Sequence, residues 1–196
     1  MTGLRRRLVI GIGGSSAPHY GIALLSALRD LSGVETHLVV SSAAHRTIEL
    51  ETDLKVGDVE ALADVVYQPG DLAAAISSGS FITMGMVVAP CSMGALAAIA
   101  HGLSGDLLAR AADVTLKERR TLVLVPRETP LNLIHVRNMV AVTEAGATVL
   151  PPVPGFYHRP TSIDDLVNQT TGKVLDQFGI EHQLFRRWTS PIGDEP

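Results

Sequence analysis

Residues 8–31, "LVIGIGGSSAPHYGIALLSALRDL", contain the pattern that decides the fold. An aliphatic run leads into a glycine-rich turn, and a helix-like stretch follows the turn. A turn of this kind between a strand and a helix typically holds a phosphate at the start of the helix. A plain tight turn is the alternative interpretation. The stretch therefore predicts the first strand–helix unit of an α/β domain and a candidate phosphate site.

The rest of the chain repeats this alternation of short aliphatic runs and helix-like runs. Strands are predicted at residues 8–12, 34–41, 64–68, 85–90, 121–126 and 147–151. Helices are predicted at residues 20–31, 42–51, 92–101, 106–118 and 132–145. A last helix opens at Ser162, which has capping-box spacing to Asp165, and extends to about Gly179.

Because the apolar strands are continuous rather than alternating, the sheet is expected to be covered on both faces. Strand–helix alternation then predicts a Rossmann-like (flavodoxin-like) three-layer αβα fold around a central, mostly parallel sheet. We expect a single ligand-binding α/β domain over residues 1–185, followed by a polar tail over residues 186–196.

Composition excludes several function classes. The chain has 196 residues, of which 46% are apolar, and a net charge of −4. The negative net charge is not typical of nucleic-acid-binding proteins, which carry an excess of positive charge. Its one cysteine, Cys91, rules out an intramolecular disulfide and favours a reducing, cytoplasmic compartment. The apolar run near the amino terminus is too short for a signal peptide.

Residues 72–105 contain no Asp, Glu, Lys or Arg. Polar residues and Pro90 interrupt this stretch, so a buried strand followed by a buried helix explains it better than a membrane span. The stretch also predicts that other subunits cover part of the surface, which makes the protein a homo-oligomer.

A dinucleotide site fits the first turn poorly. Gly11 and Gly13 match the fingerprint, but its third position is Ser16, and the second strand ends at Ser41 and Ser42 without a carboxylate. Hydroxyl groups and helix-start amides suit a mononucleotide phosphate or the edge of a flavin. Ser16 also lacks the glycines of a nucleophile elbow, and the histidine spacings give no argument for a metal.

The strongest local signal is the charged stretch at residues 110–130, "RAADVTLKERRTLVLVPRETP". Arg110 and Lys117 share one face of a predicted helix, and Arg127 and Glu128 end a buried strand. Cations around a carboxylate suit an anionic substrate beside an acid/base group, although a salt-bridged subunit contact is equally compatible. Earlier in the chain, Ser92 follows a predicted strand and is positioned to cap the next helix.

Several blocks in order resemble the flavin prenyltransferase family, the UbiX type that serves UbiD-type decarboxylases. They are "SSGSF", "PCSMGAL", "RAADVTLKERR", "LVLVPRETPL", "PPVPGFYHRP" and "VLDQFGI", and the resemblance covers about residues 8–188. It implies transfer of a dimethylallyl group from dimethylallyl phosphate to N5 and C6 of reduced FMN, with release of phosphate and no metal. It also implies delivery of prenylated FMN to a UbiD-type decarboxylase, and a dodecamer with active sites between subunits.

The resemblance implies roles for individual residues. FMN would be contacted by Gly14, Ser15, Ser16, Ser41, Ser92, Met93, Gly94, Ala95 and Arg127. Dimethylallyl phosphate would be held by Tyr157 and Lys173, with Arg110 and Lys117 near the phosphate or at the subunit contact. Glu128 would assist phosphate departure, and Ser16 with Glu51 would relay the proton lost from the flavin ring.

The opening loop departs from the usual family pattern at Ser15, Ala17 and Pro18, and Lys173 stands where arginine is common. Two alternatives therefore stay open. One is a flavin-dependent cysteine decarboxylase of related fold, although its characteristic segment is missing here. The other is a non-catalytic FMN carrier or assembly subunit, which the loop substitutions suggest.

Overall fold

The structure, a computed structural model, describes residues 6–31 and 33–188. The strands are β1 (Arg6–Ile12), β2 (Val34–Val40), β3 (Val65–Tyr67), β4 (Gly85–Cys91), β5 (Thr121–Pro126) and β6 (Thr148–Val149). The α-helices are α1 (His19–Asp30), α2 (Ser42–Glu51), α3 (Val56–Glu60), α4 (Met93–Ala100), α5 (Leu107–Lys117), α6 (Leu133–Glu144) and α7 (Ile163–Gln177).

All strand pairs among the described residues are parallel, and the order across the sheet is β3-β2-β1-β4-β5-β6. The chain moves outward from β1 to β3 and then crosses to the other side of β1 to form β4. This is the strand order of a doubly wound Rossmann sheet. Such sheets bind ligands beyond the carboxyl ends of the strands where the order reverses, which is here between β1 and β4. The predicted fold class is confirmed.

Two apolar cores cover the two faces of the sheet. Successive strand residues point to opposite faces, so Ile10 joins α1, α2 and α7 in one core, while Val9 joins α4, α5 and α6 in the other. Strand β4 is buried along its whole length, because it lies at the centre of the sheet and is covered on both faces. This arrangement brings the loops after β1, β2 and β4 together at one edge.

Most predicted elements lie within one or two residues of their expected bounds. The prediction missed α3, whose five residues are too few for an apolar period, and a 3₁₀ turn at Ala75–Ser77. The uncharged stretch 72–105 contains the buried β4 followed by α4, as predicted. No helix within residues 6–31 and 33–188 is long and apolar enough to cross a bilayer.

The ends of the predicted domain and tail lie outside the described residues, namely residues 1–5 and 189–196. Within the described part of the tail, Arg187 binds Asp176 on α7 and Trp188 contacts Tyr157. The first residues of the tail are therefore attached to the domain.

Candidate active site

A cavity of about 400 Å³ lies beyond the carboxyl ends of the strands. Its walls come from five chain segments that follow β1, β2, β3 and β4 or begin α5. The lining residues are Gly13, Gly14, Ser41, Ser42, Ala43, Pro69, Gly70, Ser92, Gly94, Ala95, Ala98, Asp106, Leu108 and Ala109. Its volume lies in the range of small-molecule and cofactor sites, and its position is the one that the strand order favours.

The glycines after β1 allow three loops to approach one another closely. A Cβ atom on Gly14 would overlap the side chain of Ala43, and one on Gly13 would lie 2.7 Å from the carbonyl oxygen of Pro90. The Gly13 N–H donates to that same carbonyl at 2.9 Å. Glycine is therefore needed here because backbone packs on backbone at the floor of the cavity.

Two helices begin at the cavity, each behind a serine cap. The Oγ of Ser41 accepts the N–H of Ala44 at 3.2 Å at the start of α2. The Oγ of Ser92 accepts the N–H of Ala95 at 3.1 Å at the start of α4, which confirms the predicted cap. The partial positive charge at these two helix starts suits a phosphate group.

A buried hydroxyl group supports the presence of a ligand in this region. The Oγ of Ser15 is inaccessible to solvent and has no hydrogen-bond partner among the described residues. A buried hydroxyl without a partner is costly, so a bound molecule that hydrogen-bonds to Ser15 would relieve that cost. The glycine floor and the two helix starts, which do line the cavity, suit the phosphate group of FMN.

The structure brings together the two residues of the predicted proton relay. The hydroxyl of Ser16 donates to Oε2 of Glu51 at 3.0 Å, and the N–H of Ala17 donates to the same oxygen at 2.7 Å. Glu51 is the last residue of α2, so the end of that helix fixes the turn after β1. The arrangement lets Glu51 accept the proton of Ser16 when the Ser16 oxygen accepts another.

Arg127 and Glu128 directly follow β5, at the expected carboxyl end of the strand. The Arg127 backbone N–H donates to the carbonyl of Cys91 at 3.3 Å. Burial raises the pKa of Tyr20 on α1, and the guanidinium of Arg127 partly opposes that rise. Glu128 is exposed, and its carboxylate accepts the N–H of Thr129 at 2.9 Å.

Arg110 and Lys117 lie on α5, as predicted, and both make contacts within the chain. Arg110 donates to the Asp113 carboxylate at 2.8 Å and to the Ser77 carbonyl at 3.2 Å. Lys117 donates a hydrogen bond to Glu118, and this bond lowers the pKa of the Glu118 carboxyl group. Neither cation lines the cavity.

Tyr157 and Lys173 are each linked to the end of the described chain, Tyr157 directly and Lys173 through Asp176. The Tyr157 ring meets the Trp188 ring edge to face, with centroids 6.1 Å apart. Lys173 lies on α7, with its Nζ 3.7 Å from Oδ2 of Asp176. Neither residue lines the cavity. Trp188, the only tryptophan of the chain, was not predicted from the sequence to contact a candidate site residue.

Of the residues predicted to bind the cofactor, Gly14, Ser41, Ser92, Gly94 and Ala95 line the cavity. Ser15, Ser16, Met93 and Arg127 do not line it, and Met93 packs against the core below α4. Pro69, Gly70 and Asp106 also line the cavity and were not predicted from the sequence. A Pro-Gly pair shortly after a parallel strand marks a turn at the same sheet edge and could have indicated the first two.

Cys91 ends β4 beside the cavity-lining Ser92. Its side chain is fully buried, and burial raises the pKa of its thiol to about 12. The thiol therefore stays protonated at neutral pH and is not available as a nucleophile.

Comparisons with known proteins agree with this geometry. The Flavoprotein family model matches residues 2–175. Flavin prenyltransferase UbiX of Escherichia coli (strain K12) is 56% identical over 185 residues, which are 93% of this chain and 98% of that protein.

Two solved structures extend the match. A dodecameric FMN-dependent Ubix-like decarboxylase from Escherichia coli O157:H7 has a TM-score of 0.92 at 53% identity, covering 94% of this chain and 100% of that one. AnUbiX (PadA1), in complex with FMN and dimethylallyl pyrophosphate, has a TM-score of 0.93 at 53% identity, covering 95% and 99% of the two chains. The chain therefore belongs to the UbiX-type flavin prenyltransferase family.

Proposed function

We propose that this protein joins the dimethylallyl group of dimethylallyl phosphate to N5 and C6 of reduced FMN and releases phosphate. The observation that carries the proposal is the 56% identity to the Escherichia coli flavin prenyltransferase over 98% of that protein. The cavity supports it, because its glycine floor and two capped helix starts suit a flavin mononucleotide.

The flavin side of the site is built from the loops after β1, β2 and β4. Gly14, Ser41 and the residues from Ser92 to Ala95 would bind FMN, with Ser15 donating to it or accepting from it. Reduced FMN supplies the electron-rich ring that acts as nucleophile, so the chain itself needs no activated side chain. Side-chain chemistry is then limited to moving protons and stabilising the leaving phosphate.

Proton removal is assigned to Ser16 and Glu51. The Ser16 oxygen would accept the proton lost from C6, while its own proton would pass along the existing 3.0 Å hydrogen bond to Glu51. This leaves Ser16 neutral and Glu51 protonated. The proton lost from N5 on alkylation balances the one that the alkene of the dimethylallyl group takes up when the bond to C6 forms.

Phosphate departure is assigned to the cations and to Glu128. An allylic phosphate leaves with negative charge, which Arg127, Lys173, Arg110 and Lys117 would stabilise electrostatically. Glu128, exposed at the end of β5, would deliver a proton to the departing phosphate. Tyr157, with Lys173, would hold dimethylallyl phosphate.

We also propose that the site is completed between subunits of a dodecamer. The Escherichia coli O157:H7 relative is dodecameric, and Tyr157, Lys173 and Lys117 lie outside the cavity of the single chain. Helix α6 supplies a surface for assembly, since it exposes Leu133, Ile134 and Val140. A UbiD-type decarboxylase in the cytoplasm would receive the prenylated FMN.

The test is anaerobic incubation with reduced FMN and either dimethylallyl phosphate or the diphosphate, followed by mass spectrometry of the flavin. We expect a flavin heavier by one dimethylallyl unit and release of phosphate or diphosphate. An unchanged flavin mass with both donors, from protein that holds FMN, would contradict the proposal and favour the carrier hypothesis. Carbon dioxide release from a cysteine-containing peptide would favour the decarboxylase hypothesis.

A further inference from the structure

The chain after α7 folds back onto that helix. Gly172 lies where the returning chain crosses α7, and a Cβ atom there would lie 2.5 Å from the rings of both His182 and Phe185. His182 is 2% exposed at its side chain. The segment 182–188, which we call the return segment, is therefore packed directly on the helix backbone, and a side chain at position 172 would displace it.

One carboxylate on α7 holds the return segment. Arg187 binds Asp176 through both oxygens, with Nη2–Oδ1 at 2.7 Å and Nη1–Oδ2 at 3.1 Å. His182 donates from Nε2 to Oδ1 of Asp176 at 3.2 Å, and its Nδ1 accepts the N–H of Leu184 at 3.2 Å. A bidentate guanidinium–carboxylate pair fixes direction as well as distance.

Asp176 stays ionised at neutral pH. The hydrogen bonds from Arg187, and then those from His182, hold the pKa of the Asp176 carboxyl group below its usual range, against the opposing effect of burial. The carboxylate is 20% exposed, so it is more shielded from water than most surface ion pairs.

The same carboxylate is linked to both residues assigned to dimethylallyl phosphate. Lys173 lies one turn before Asp176 on α7, with its Nζ 3.7 Å from Oδ2. Tyr157 contacts Trp188, which directly follows Arg187. A shift of the return segment would therefore move the partner of Tyr157, and loss of Asp176 would release Lys173.

We infer that Asp176 and Arg187 are positioning residues for the prenyl-phosphate half of the site: their ion pair holds the return segment on α7 and so keeps Trp188 against Tyr157, while Asp176 also contacts Lys173. This inference rests on the proposed function. Neither residue touches the reacting atoms, so their loss should act on binding of the prenyl donor more than on binding of FMN.

The test compares Arg187→Gln with Arg186→Gln, a neighbouring change of equal charge. Arg186 is exposed and makes no ion pair within residues 6–31 and 33–188. Because Trp188 is the only tryptophan, its fluorescence anisotropy in the FMN-free protein reports how firmly the return segment is held. The kinetic readouts are kcat and KM for dimethylallyl phosphate and the dissociation constant of FMN.

We expect Arg187→Gln to lower the Trp188 anisotropy and to raise KM about tenfold, with a smaller change in kcat and unchanged FMN affinity. Arg187→Lys should restore part of the loss, since it keeps the charge without the planar fork. Asp176→Asn should raise KM at least as much, and the double variant should add little to it. Arg186→Gln should match the wild type.

Unchanged anisotropy, unchanged KM or an equal effect of Arg186→Gln would each overturn this inference while leaving the prenyltransferase proposal intact. A loss of FMN affinity parallel to the rise in KM would also overturn it, because it would indicate a general structural defect. A wild-type protein that forms no prenylated flavin would overturn the proposed function and this inference together.

Discussion

Ala17 adopts a left-handed backbone conformation with φ of +69°, in the turn between β1 and α1. This conformation crowds a Cβ atom, and glycine adopts it without strain. The carboxylate of Glu51 holds the turn by accepting the Ala17 N–H at 2.7 Å. Of the three residues at which this loop departs from the family pattern, Ala17 is thus the one whose side chain strains the backbone.

Replacing Ala17 with glycine should stabilise the protein by about 1 kcal/mol, because relief of strain outweighs the added freedom of the unfolded chain. Thermal unfolding would show this as a raised midpoint. Ala145→Gly is the matched control, since Ala145 has an ordinary φ of −72° at the end of α6, and we expect it to lower the midpoint slightly. A midpoint that falls for Ala17→Gly would contradict the strain argument.

Replacing Glu51 with glutamine should keep the turn but stop the relay. A glutamine oxygen can still accept the Ala17 N–H, but it cannot take up a proton at neutral pH. We expect turnover to fall about a hundredfold with FMN affinity largely retained. Steady-state kinetics and FMN titration measure the two effects.

The control for this change is Glu49→Gln, on the same helix. Glu49 is exposed and pairs only loosely with Arg46, at 3.7 Å. Its replacement should leave turnover at the wild-type level. Equal turnover for the Glu51 and Glu49 variants would remove Glu51 from the proton path.

Helix α7 begins with the capping box that the sequence predicts. The Ser162 Oγ accepts the Asp165 N–H at 3.1 Å, while Oδ2 of Asp165 accepts the N–H groups of Thr161 and Ser162 at 2.7 and 3.0 Å. These bonds, first of all that from the Thr161 backbone, lower the pKa of the Asp165 carboxyl group from its usual 3.8. The helix that carries Lys173 and Asp176 therefore starts at a charge-dependent cap.

The contribution of this cap should depend on pH in one direction. A carboxyl group with a lowered pKa in the folded state stabilises it above pH 3.8, and that stabilisation is lost as the pH falls through the folded-state value. Asp165→Asn should therefore lower the midpoint of thermal unfolding at pH 7. The difference in midpoint between the variant and the wild type should become smaller as the pH falls below 3.8. Asp164→Asn, which removes a charge from the same turn without breaking the cap, serves as control. A gap that does not change with pH would contradict the cap mechanism.

The elements that could be predicted are those whose signals are local. The buried strands are continuous apolar runs. Ser92 and Ser162 each mark the start of a helix, because each caps the backbone N–H group three residues later. Parallel strands bring their carboxyl ends to one edge, so the loops with Gly14, Ser41 and Ser92 could be placed together before the structure was known.

The parts that could not be predicted depend on contacts between distant residues. Asp106 reaches the cavity only because α5 packs beside the loop after β3, where its first residue, Leu107, donates an N–H to the Pro69 carbonyl. The link from Lys173 through Asp176 to Trp188 depends on how the return segment crosses Gly172. From the sequence alone, Lys173 is interpreted as a charged side chain in solvent, because the spacing of residues does not show this tertiary contact.

At the scale of the whole molecule, helix α6 leaves an apolar face uncovered in the single chain. Leu133 is 62% exposed, Ile134 is 66% exposed and Val140 is 51% exposed. Val142, on the opposite side of the same helix from Val140, is buried in the core. An apolar face of this kind favours burial against other subunits.

Replacing Ile134 with aspartate should therefore weaken assembly. Burial of an isoleucine side chain contributes about 1.5–3 kcal/mol, and a buried unpaired carboxylate adds a further cost, so we expect smaller species at micromolar concentration. Sedimentation velocity would measure the change. Leu50→Asp, at a position of α2 with 65% exposure, is the matched control and should leave the assembly intact. An unchanged sedimentation profile for Ile134→Asp would exclude α6 from the contacts.

The burial of Cys91 has a consequence for how long such an enzyme survives its own chemistry. An allylic phosphate that ionises produces an electrophile, and a thiolate is the side chain that such an electrophile would alkylate most readily. The only cysteine of the chain lies next to the cavity-lining Ser92, yet it is sealed in the core and kept protonated, with a pKa of about 12. The fold thereby keeps this thiol out of the reach of an electrophile bound in the cavity.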